Sequence, residues 1–124
     1  MLFDTDVLVW VFRGHEGAVK MISGDPRRSV SVVTYMELLR GSLNREELRH
    51  IKSFLIEGFE TLPLTENIGH RASVYVEEYG MKHGMDIADA LIAATAVENG
   101  VELCTGNRKH YQPIRDLSLK VFRP

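Results

Sequence analysis

Three acidic residues lie far apart in the sequence, yet each stands beside the predicted end of a strand or the predicted start of a helix. Asp4 directly follows an apolar run, and Glu37 lies shortly after a β-branched one. Asp89 lies at the start of an alanine-rich segment. Carboxylates that share a small volume repel one another at neutral pH unless protons or cations offset their charge, and their oxygens suit hard divalent ions. If the three side chains converge, they predict a site for Mg²⁺ or Mn²⁺.

The other metal-binding and nucleophilic residue types argue against zinc and thiol chemistry. The five histidines are scattered, and the single cysteine, Cys104, lies in an apolar run. The histidines and the cysteine therefore lack the spacing of a zinc site. A lone buried thiol also argues against a disulfide and against a catalytic cysteine. The net charge of −2 argues against bulk attraction to nucleic acid, although it permits a local basic rim.

The segment from Gly84 to Gly100 is predicted to be a buried helix that positions Asp89. Asp86 suits the N-cap, and Asp89 falls at the third helical position, where a carboxylate can accept hydrogen bonds from free backbone N–H groups. Most other side chains in the segment are small or apolar, which is typical of a helix surrounded by protein. An unpaired carboxylate in such a helix costs several kcal/mol, so a cap contact or a metal ion has to compensate Asp89.

Apolar and amphipathic segments alternate along the whole chain. Five segments are predicted to be strands, namely residues 1–3, 29–33, 60–64, 101–104 and 119–122. With 124 residues and 44% of them hydrophobic, the chain is expected to form one domain over residues 1–124. The alternation predicts an α/β fold with a central parallel sheet of four to five strands flanked by helices. Ligands collect at the carboxyl ends of such strands, where Asp4 is placed.

Two of the acidic residues also have a purely structural interpretation. Thr34 followed by Glu37 matches a capping box at the start of a helix, in which the glutamate bonds the backbone. Asp86 is explained equally well as a plain N-cap. The residues alone leave both interpretations open.

The sequence gives no sign of a membrane segment. No apolar run approaches the roughly 18 residues that span a bilayer, and the N-terminus leads into a predicted strand without a basic leader. A lone cysteine also fits a reducing compartment. We therefore expect a cytoplasmic protein that does not enter membranes.

Four motifs resemble those of the PIN-domain ribonucleases, and specifically of the VapC toxins, in both order and spacing. They are Phe3–Leu8, Ser31–Gly41, Asp89–Ala96, and Thr105–Asn107 followed by Tyr111. The resemblance implies a PIN-like fold and a metal-dependent endoribonuclease that hydrolyses RNA phosphodiester bonds. It also implies Mg²⁺ or Mn²⁺ as the cofactor, a cognate antitoxin that silences the enzyme, and a homodimer. The matching acidic positions are Asp4, Glu37 and Asp89.

The chain departs from the family's pattern at the fourth acidic position. Family members often carry an acid where Asn107 or His110 stands here. Asn107 offers only a neutral carbonyl oxygen, so the resemblance implies a second metal site that is weaker or absent. Asp6 and Asp86 can partly substitute, since Asp86 lies one helical turn before Asp89. We expect His110 to point away from the site.

Polar and basic side chains near the motifs are candidates for handling water and substrate. In the implied reaction, a water activated by a divalent ion attacks phosphorus while the ion neutralises charge on the phosphate. Thr5 or Asn107 can orient this water. Four basic residues are candidates for binding the flanking phosphates, namely Arg13, Arg40, Arg108 and Lys109.

Arginines alternate with apolar residues between Arg40 and Phe59. The aromatic content of this region exceeds what a lone surface helix needs. We expect it to serve the homodimer and the antitoxin, whose peptide can deliver an arginine or lysine to the carboxylates.

Two other functions fit part of the pattern. One is a PIN-like module that binds RNA or antitoxin but cleaves weakly or not at all, because the fourth acid is missing. The other is a Mg²⁺-binding phosphoacceptor domain, with an acidic pocket after the first strand and the hydroxyl of Thr105 after the fourth. No lysine follows a late strand at the position that such a domain needs, and Asp89 would have no role in it, so the sequence argues against the second.

Overall fold

A five-stranded parallel sheet forms the centre of the computed structural model, which describes residues 1–124. The strands are β1 (Leu2–Phe3), β2 (Ser29–Ser31), β3 (Glu60–Leu62), β4 (Leu103–Thr105) and β5 (Leu119–Val121). Their order across the sheet is β3-β2-β1-β4-β5, and every neighbouring pair is parallel. The prediction of an α/β fold with four to five parallel strands is confirmed.

Seven helices connect and cover the strands. They are α1 (Thr5–Phe12), α2 (Glu16–Ser23), α3 (Val32–Arg40), α4 (Arg45–Gly58), α5 (Glu66–His83), α6 (Ile87–Glu98) and α7 (Arg108–Tyr111). No helix is both long enough and apolar enough to cross a bilayer.

Each face of the sheet carries its own hydrophobic core, because successive residues of β1 point to opposite faces. Leu2 belongs to a cluster of 15 buried residues built mainly from α5 and α6. Phe3 belongs to a cluster of 12 that includes side chains of α1, α2 and α4. Cys104 lies in this second cluster as the predicted buried thiol, and burial raises its pKa to about 11. Helices therefore cover both sides of the sheet, as a parallel sheet requires.

The strand order reverses between β1 and β4. From β1 the chain proceeds outward to β2 and β3, and it then returns to place β4 on the other side of β1. The loops after β1 and β4 consequently diverge and leave a crevice at the carboxyl ends of these strands. Asp4 follows β1, and Thr105 ends β4, so both residues stand at this crevice.

The start of α3 differs from the predicted start. The hydroxyl of Ser31 accepts a bond from the Val33 backbone N–H at 3.1 Å, so Ser31 is the N-cap, and Thr34 lies inside the first turn. The capping box of Thr34 and Glu37 was therefore wrong, and Glu37 lies in the middle of the helix. Val33 is buried in the core from a helical position, which shows that packing overrides the β preference of a branched residue here.

Helix α6 is the buried helix that the sequence predicts. Asp86 Oδ1 accepts a bond from the Asp89 backbone N–H at 2.8 Å, so Asp86 is the N-cap. Residues 92–96 are buried, and the helix packs along α5. Because its core-facing residues hold α6 firmly, the position of Asp89 in its first turn is fixed.

Candidate active site

Asp4 is buried at the carboxyl end of β1 and caps α1. Its Oδ1 accepts a bond from the Thr5 backbone N–H, and its Oδ2 accepts one from the Thr105 hydroxyl, each at 2.8 Å. Only 4% of the residue is exposed. Burial, together with the nearby charge of Asp6, raises the pKa of Asp4 to about 7, although its hydrogen bonds act in the opposite direction.

Asp6 follows in the first turn of α1 and reaches across to the turn after β4. Its Oδ2 accepts a bond from the Gly106 backbone N–H at 2.9 Å. Its Oδ1 is buried and has no hydrogen-bond partner. Burial raises the pKa of this carboxyl, although backbone N–H groups, first that of Gly106, act in the opposite direction, and the charge of Asp89 adds a smaller increase.

Asp89 approaches the same crevice from α6. Its Oδ1 accepts a bond from the Tyr111 hydroxyl at 3.1 Å, and its Oδ2 lies 3.0 Å from His110 Nδ1. Burial raises the pKa of Asp89, with a contribution from the charge of Asp86. The expectation that His110 points away from the site was wrong, because the single turn of α7 packs on α6 and carries residue 110 to this carboxylate.

Tyr111 is a residue of the site that was not among its predicted members. The side chain is fully buried, and burial and the charges of Asp4 and Asp89 raise its pKa far above the ordinary value for tyrosine. The hydroxyl therefore stays protonated and donates to the carboxylate of Asp89. A buried tyrosine with its polar atom inside the protein requires such an acceptor, which is the signal that could have identified it.

Glu37 joins the site through Thr5. Its Oε1 accepts a bond from the Thr5 hydroxyl at 2.7 Å, and the hydroxyls of Thr5 and Thr34 lie 3.0 Å apart. Since the one proton of Thr5 goes to the carboxylate, Thr34 donates to Thr5. Thr5 also donates its backbone N–H to Asp4, so it links the two acids, and its hydroxyl proton is already committed to Glu37.

The donor atoms of this site are carboxylate oxygens, which Mg²⁺ and Mn²⁺ prefer. As the side chains stand, no three His, Cys, Asp or Glu residues form a group that can hold a metal ion. The buried, unpartnered Oδ1 of Asp6 fits a cation, however, and no lysine or arginine is ion-paired with Asp4, Asp6 or Asp89. That Asp4, Asp89 and Glu37 hold such an ion stays a prediction.

The candidate substrate-binding residues separate onto different surfaces. Asn107, Arg108 and Lys109 line a cleft of about 540 Å³ between the turn after β4 and the C-terminal residues, which adds Arg123 to the basic side chains there. The Asn107 side chain is exposed and does not cap α7. Arg13 stacks over the Trp10 ring and lines the larger groove described next. Exposed Arg40 lines neither that cleft nor the groove described next.

A larger groove of about 990 Å³ runs between α1, α3 and α4. Thr5 and Glu37 line it together with apolar side chains that include Phe12, Leu43 and Phe54. Further acidic residues of α4, Glu46 and Glu47, also line it. The groove therefore extends from Glu37 into the segment from Arg40 to Phe59. Its walls are apolar and mainly acidic, and Arg13 is the one arginine among them.

Comparison with known proteins identifies the fold and the family. The profile of the PIN domain family matches residues 1–114, and the chain therefore belongs to the PIN domain family. This confirms the resemblance that the four sequence motifs indicate.

Individual relatives agree with this assignment. Ribonuclease VapC19 of Mycobacterium tuberculosis is 31% identical over 121 residues, which cover 94% of this chain and 95% of the relative. Ribonuclease VapC1 of Methanocaldococcus jannaschii is 28% identical over 124 residues, which cover 98% and 86% of the two chains. A chain in the structure of a toxin-antitoxin complex from Klebsiella pneumoniae superimposes with a TM-score of 0.80 and 26% identity, covering 94% of this chain and 93% of that one.

Proposed function

We propose that this protein is a VapC-like toxin, an endoribonuclease that hydrolyses RNA phosphodiester bonds with Mg²⁺ or Mn²⁺ and is neutralised by a cognate antitoxin. The observation that carries the proposal is the meeting of Asp4, Asp6 and Asp89 at the strand-order reversal, where burial raises the pKa of each carboxyl. The names of the VapC ribonucleases and of the toxin-antitoxin complex among the relatives support it.

Each acid has a defined part in the proposed reaction. Asp4 and Asp89 would hold the divalent ion, and Thr5 holds the carboxylate of Glu37 toward the same crevice. The bound ion supplies Lewis-acid chemistry, which activates water for attack on phosphorus and neutralises charge on the phosphate. Tyr111 keeps Asp89 in place and excludes water from behind it, because the ring is buried and its hydroxyl donates to the carboxylate.

The cleft lined by Arg108, Lys109 and Arg123 is the surface on which we place the RNA backbone. It begins at Gly106, whose N–H contacts Asp6, so a strand bound there runs directly into the carboxylates. Phosphate groups bind lysine and arginine through charge-assisted hydrogen bonds. Basic side chains beside a negatively charged centre also position the substrate without neutralising the acids.

The groove between α1, α3 and α4 is the surface on which we place the antitoxin. Its apolar side chains suit an amphipathic segment, and the acidic residues Glu37, Glu46 and Glu47 suit basic side chains on that segment. A basic side chain that reaches Glu37 would occupy the carboxylate needed in the reaction.

Incubating purified protein with mixed cellular RNA in Mg²⁺, in Mn²⁺ and in EDTA, followed by mapping of the new ends, tests the proposed activity. We expect cleavage that requires the metal and that is abolished in Asp4→Asn and in Asp89→Asn. Glu77→Gln, which removes an exposed acid of α5, is the matched control and should cleave like the wild type. Cleavage that survives both site substitutions would exclude this site, and a protein that binds antitoxin without cleaving would be a silent binding module.

A further inference from the structure

The two carboxylate oxygens of Asp6 have different environments. Oδ2 is fixed by the Gly106 backbone N–H, whereas Oδ1 is buried and makes no hydrogen bond. A buried carboxylate oxygen without a partner costs free energy, and proteins normally satisfy such atoms. The fully oriented but unsatisfied Oδ1 is therefore an atom prepared for a partner that is not a protein group.

No protein cation is available to be that partner. The charge of Asp6 raises the pKa of Asp4, and the charge of Asp89 raises the pKa of Asp6. No lysine or arginine is paired with any of the three carboxylates. A cation in the crevice would satisfy Oδ1 and would offset the repulsion among the three acids.

The turn after β4 is built to hold Asp6 in this orientation. A Cβ added to Gly106 would lie 2.6 Å from Asp6 Oδ2, so only glycine lets the backbone N–H approach the carboxylate this closely. With Oδ2 held by Gly106, Oδ1 is kept in its buried position.

We propose that Asp6 supplies the fourth acidic ligand, with Oδ1 binding the divalent ion that Asp4 and Asp89 hold. Asn107, which occupies the corresponding loop position, carries no charge and has an exposed side chain. Asp6, in the first turn of α1, would thus take the place of the acid that this loop lacks. This inference rests on the proposed metal-dependent function and assigns a residue to it.

The competing explanation is that Asp6 only anchors the turn after β4. Asp6→Asn separates the two roles, because an amide oxygen still accepts the Gly106 N–H bond while the negative charge is lost. A metal ligand depends on that charge, whereas an anchor does not.

The test is Mn²⁺ binding at fixed pH, measured by the electron paramagnetic resonance of free Mn²⁺ and without RNA. We expect Asp6→Asn to weaken binding by at least about tenfold, which is the lower end of what loss of even an outer-sphere partner costs, and Asp4→Asn to weaken it at least as much. Glu77→Gln, which makes the same change on the exposed face of α5, should bind like the wild type.

The outcomes separate this inference from the proposed function. Unchanged Mn²⁺ binding in Asp6→Asn, together with weakened binding in Asp4→Asn, would overturn the role of Asp6 and leave the site intact. Absence of Mn²⁺ binding by the wild type would overturn both. Melting in EDTA checks the fold of each variant. If Asp6→Asn does not fold, Asp6→Ser, which also removes the charge and keeps a polar oxygen, is compared with Asp4→Asn in the same way.

Discussion

Asp4 makes the stability of the metal-free protein depend on pH. In the unfolded chain it loses its proton near the ordinary aspartate pKa of about 3.9, whereas in the fold its pKa is about 7. Between these values the folded state binds more protons than the unfolded state, so the free energy of unfolding falls as pH rises. The raised pKa values of Asp6 and Asp89 act in the same direction.

The first prediction follows from this linkage. In EDTA, the wild type should lose stability relative to Asp4→Asn as the pH rises from about 4 to about 7, by up to roughly 1.4 kcal/mol for each pH unit. Thermal melting of both proteins across this range measures the difference, in which the titrating groups that do not interact with Asp4 cancel. Parallel curves for the two proteins would show that Asp4 titrates in the fold as it does in the unfolded chain.

The second prediction concerns the two positions at which family members often carry an acid. His110→Asp places a like charge next to Asp89 Oδ2, where His110 Nδ1 now lies at 3.0 Å, so it should destabilise the metal-free protein and lower the Mg²⁺ concentration for half-maximal cleavage. Asn107→Asp should act in the same direction but less strongly in EDTA, because its side chain is exposed.

Metal titrations of cleavage and melting curves in EDTA for the two variants measure these effects. If neither variant changes the metal requirement, the acid missing from the loop does not limit metal binding. A larger loss of stability in Asn107→Asp than in His110→Asp would contradict the contact between His110 and Asp89.

At the scale of elements, the local sequence pattern was sufficient to predict an element wherever it was compatible with only one structure. The alanine-rich segment became α6 with Asp86 as its N-cap, and the apolar run before Asp4 became β1. The start of α3 could not be predicted, because Ser31 and Thr34 are both good caps and only burial of Val33 decides between them.

In the site, too, local sequence determines some features, and others depend on packing between distant segments. The sequence placed Asp4 and Asp89 at the ends of their elements, which local pattern determines. It could not place His110 and Tyr111 against Asp89, since these contacts depend on how the turn after β4 packs α7 on α6. The unsatisfied oxygen of Asp6 likewise follows from the approach of Gly106, which lies 100 positions further along the chain.

The third prediction tests the cap of α3. Ser31→Ala removes the oxygen that accepts the Val33 N–H bond and should lower the free energy of unfolding by about 1 kcal/mol. Ser53→Ala makes the same change at an exposed position inside α4 and should be neutral or slightly stabilising. Urea unfolding in EDTA measures both, and equal stability of the two variants would argue against Ser31 as the cap.

At the scale of the whole molecule, the site separates two surfaces of different character. The cleft with Arg108, Lys109 and Arg123 lies on the side of Gly106 and Asp6, while the larger groove lies on the side of Thr5 and Glu37. A substrate and a protein inhibitor can therefore approach the same acids from different directions. An inhibitor that occupies the groove acts on Glu37 without filling the basic cleft.

The fourth prediction is that the protein forms a homodimer, as the family resemblance implies. Sedimentation velocity at roughly tens of micromolar should show the dimer, since an interface of micromolar affinity is populated at that concentration. A monomer under these conditions would contradict the prediction.

The last prediction assigns the groove to the antitoxin by separating binding from catalysis. Leu43 is 86% exposed in the connection between α3 and α4, so a charge there should not disturb the core. Phe12 is 41% exposed on α1 and its ring packs on Phe54, so the fold of its variant is checked by thermal melting. Leu43→Asp and Phe12→Glu remove apolar surface from the groove. Their added charge has the same sign as Glu46 and Glu47 and would not repel a basic segment, so the loss of apolar contact is the effect that is tested. Both variants should weaken binding of the cognate antitoxin, and cleavage of RNA in its absence should persist.

Met81→Asp provides the control, because Met81 is fully exposed on α5 and outside the groove. Antitoxin affinity can be measured by titration calorimetry in EDTA, with RNA cleavage assayed separately. Burying the anchoring side chain of an interface typically contributes more than about 1 kcal/mol, so either groove variant should weaken binding by roughly tenfold. If both groove variants bind like the wild type and Met81→Asp does not, the antitoxin uses the face of α5, and its basic side chains must reach the acids from another direction.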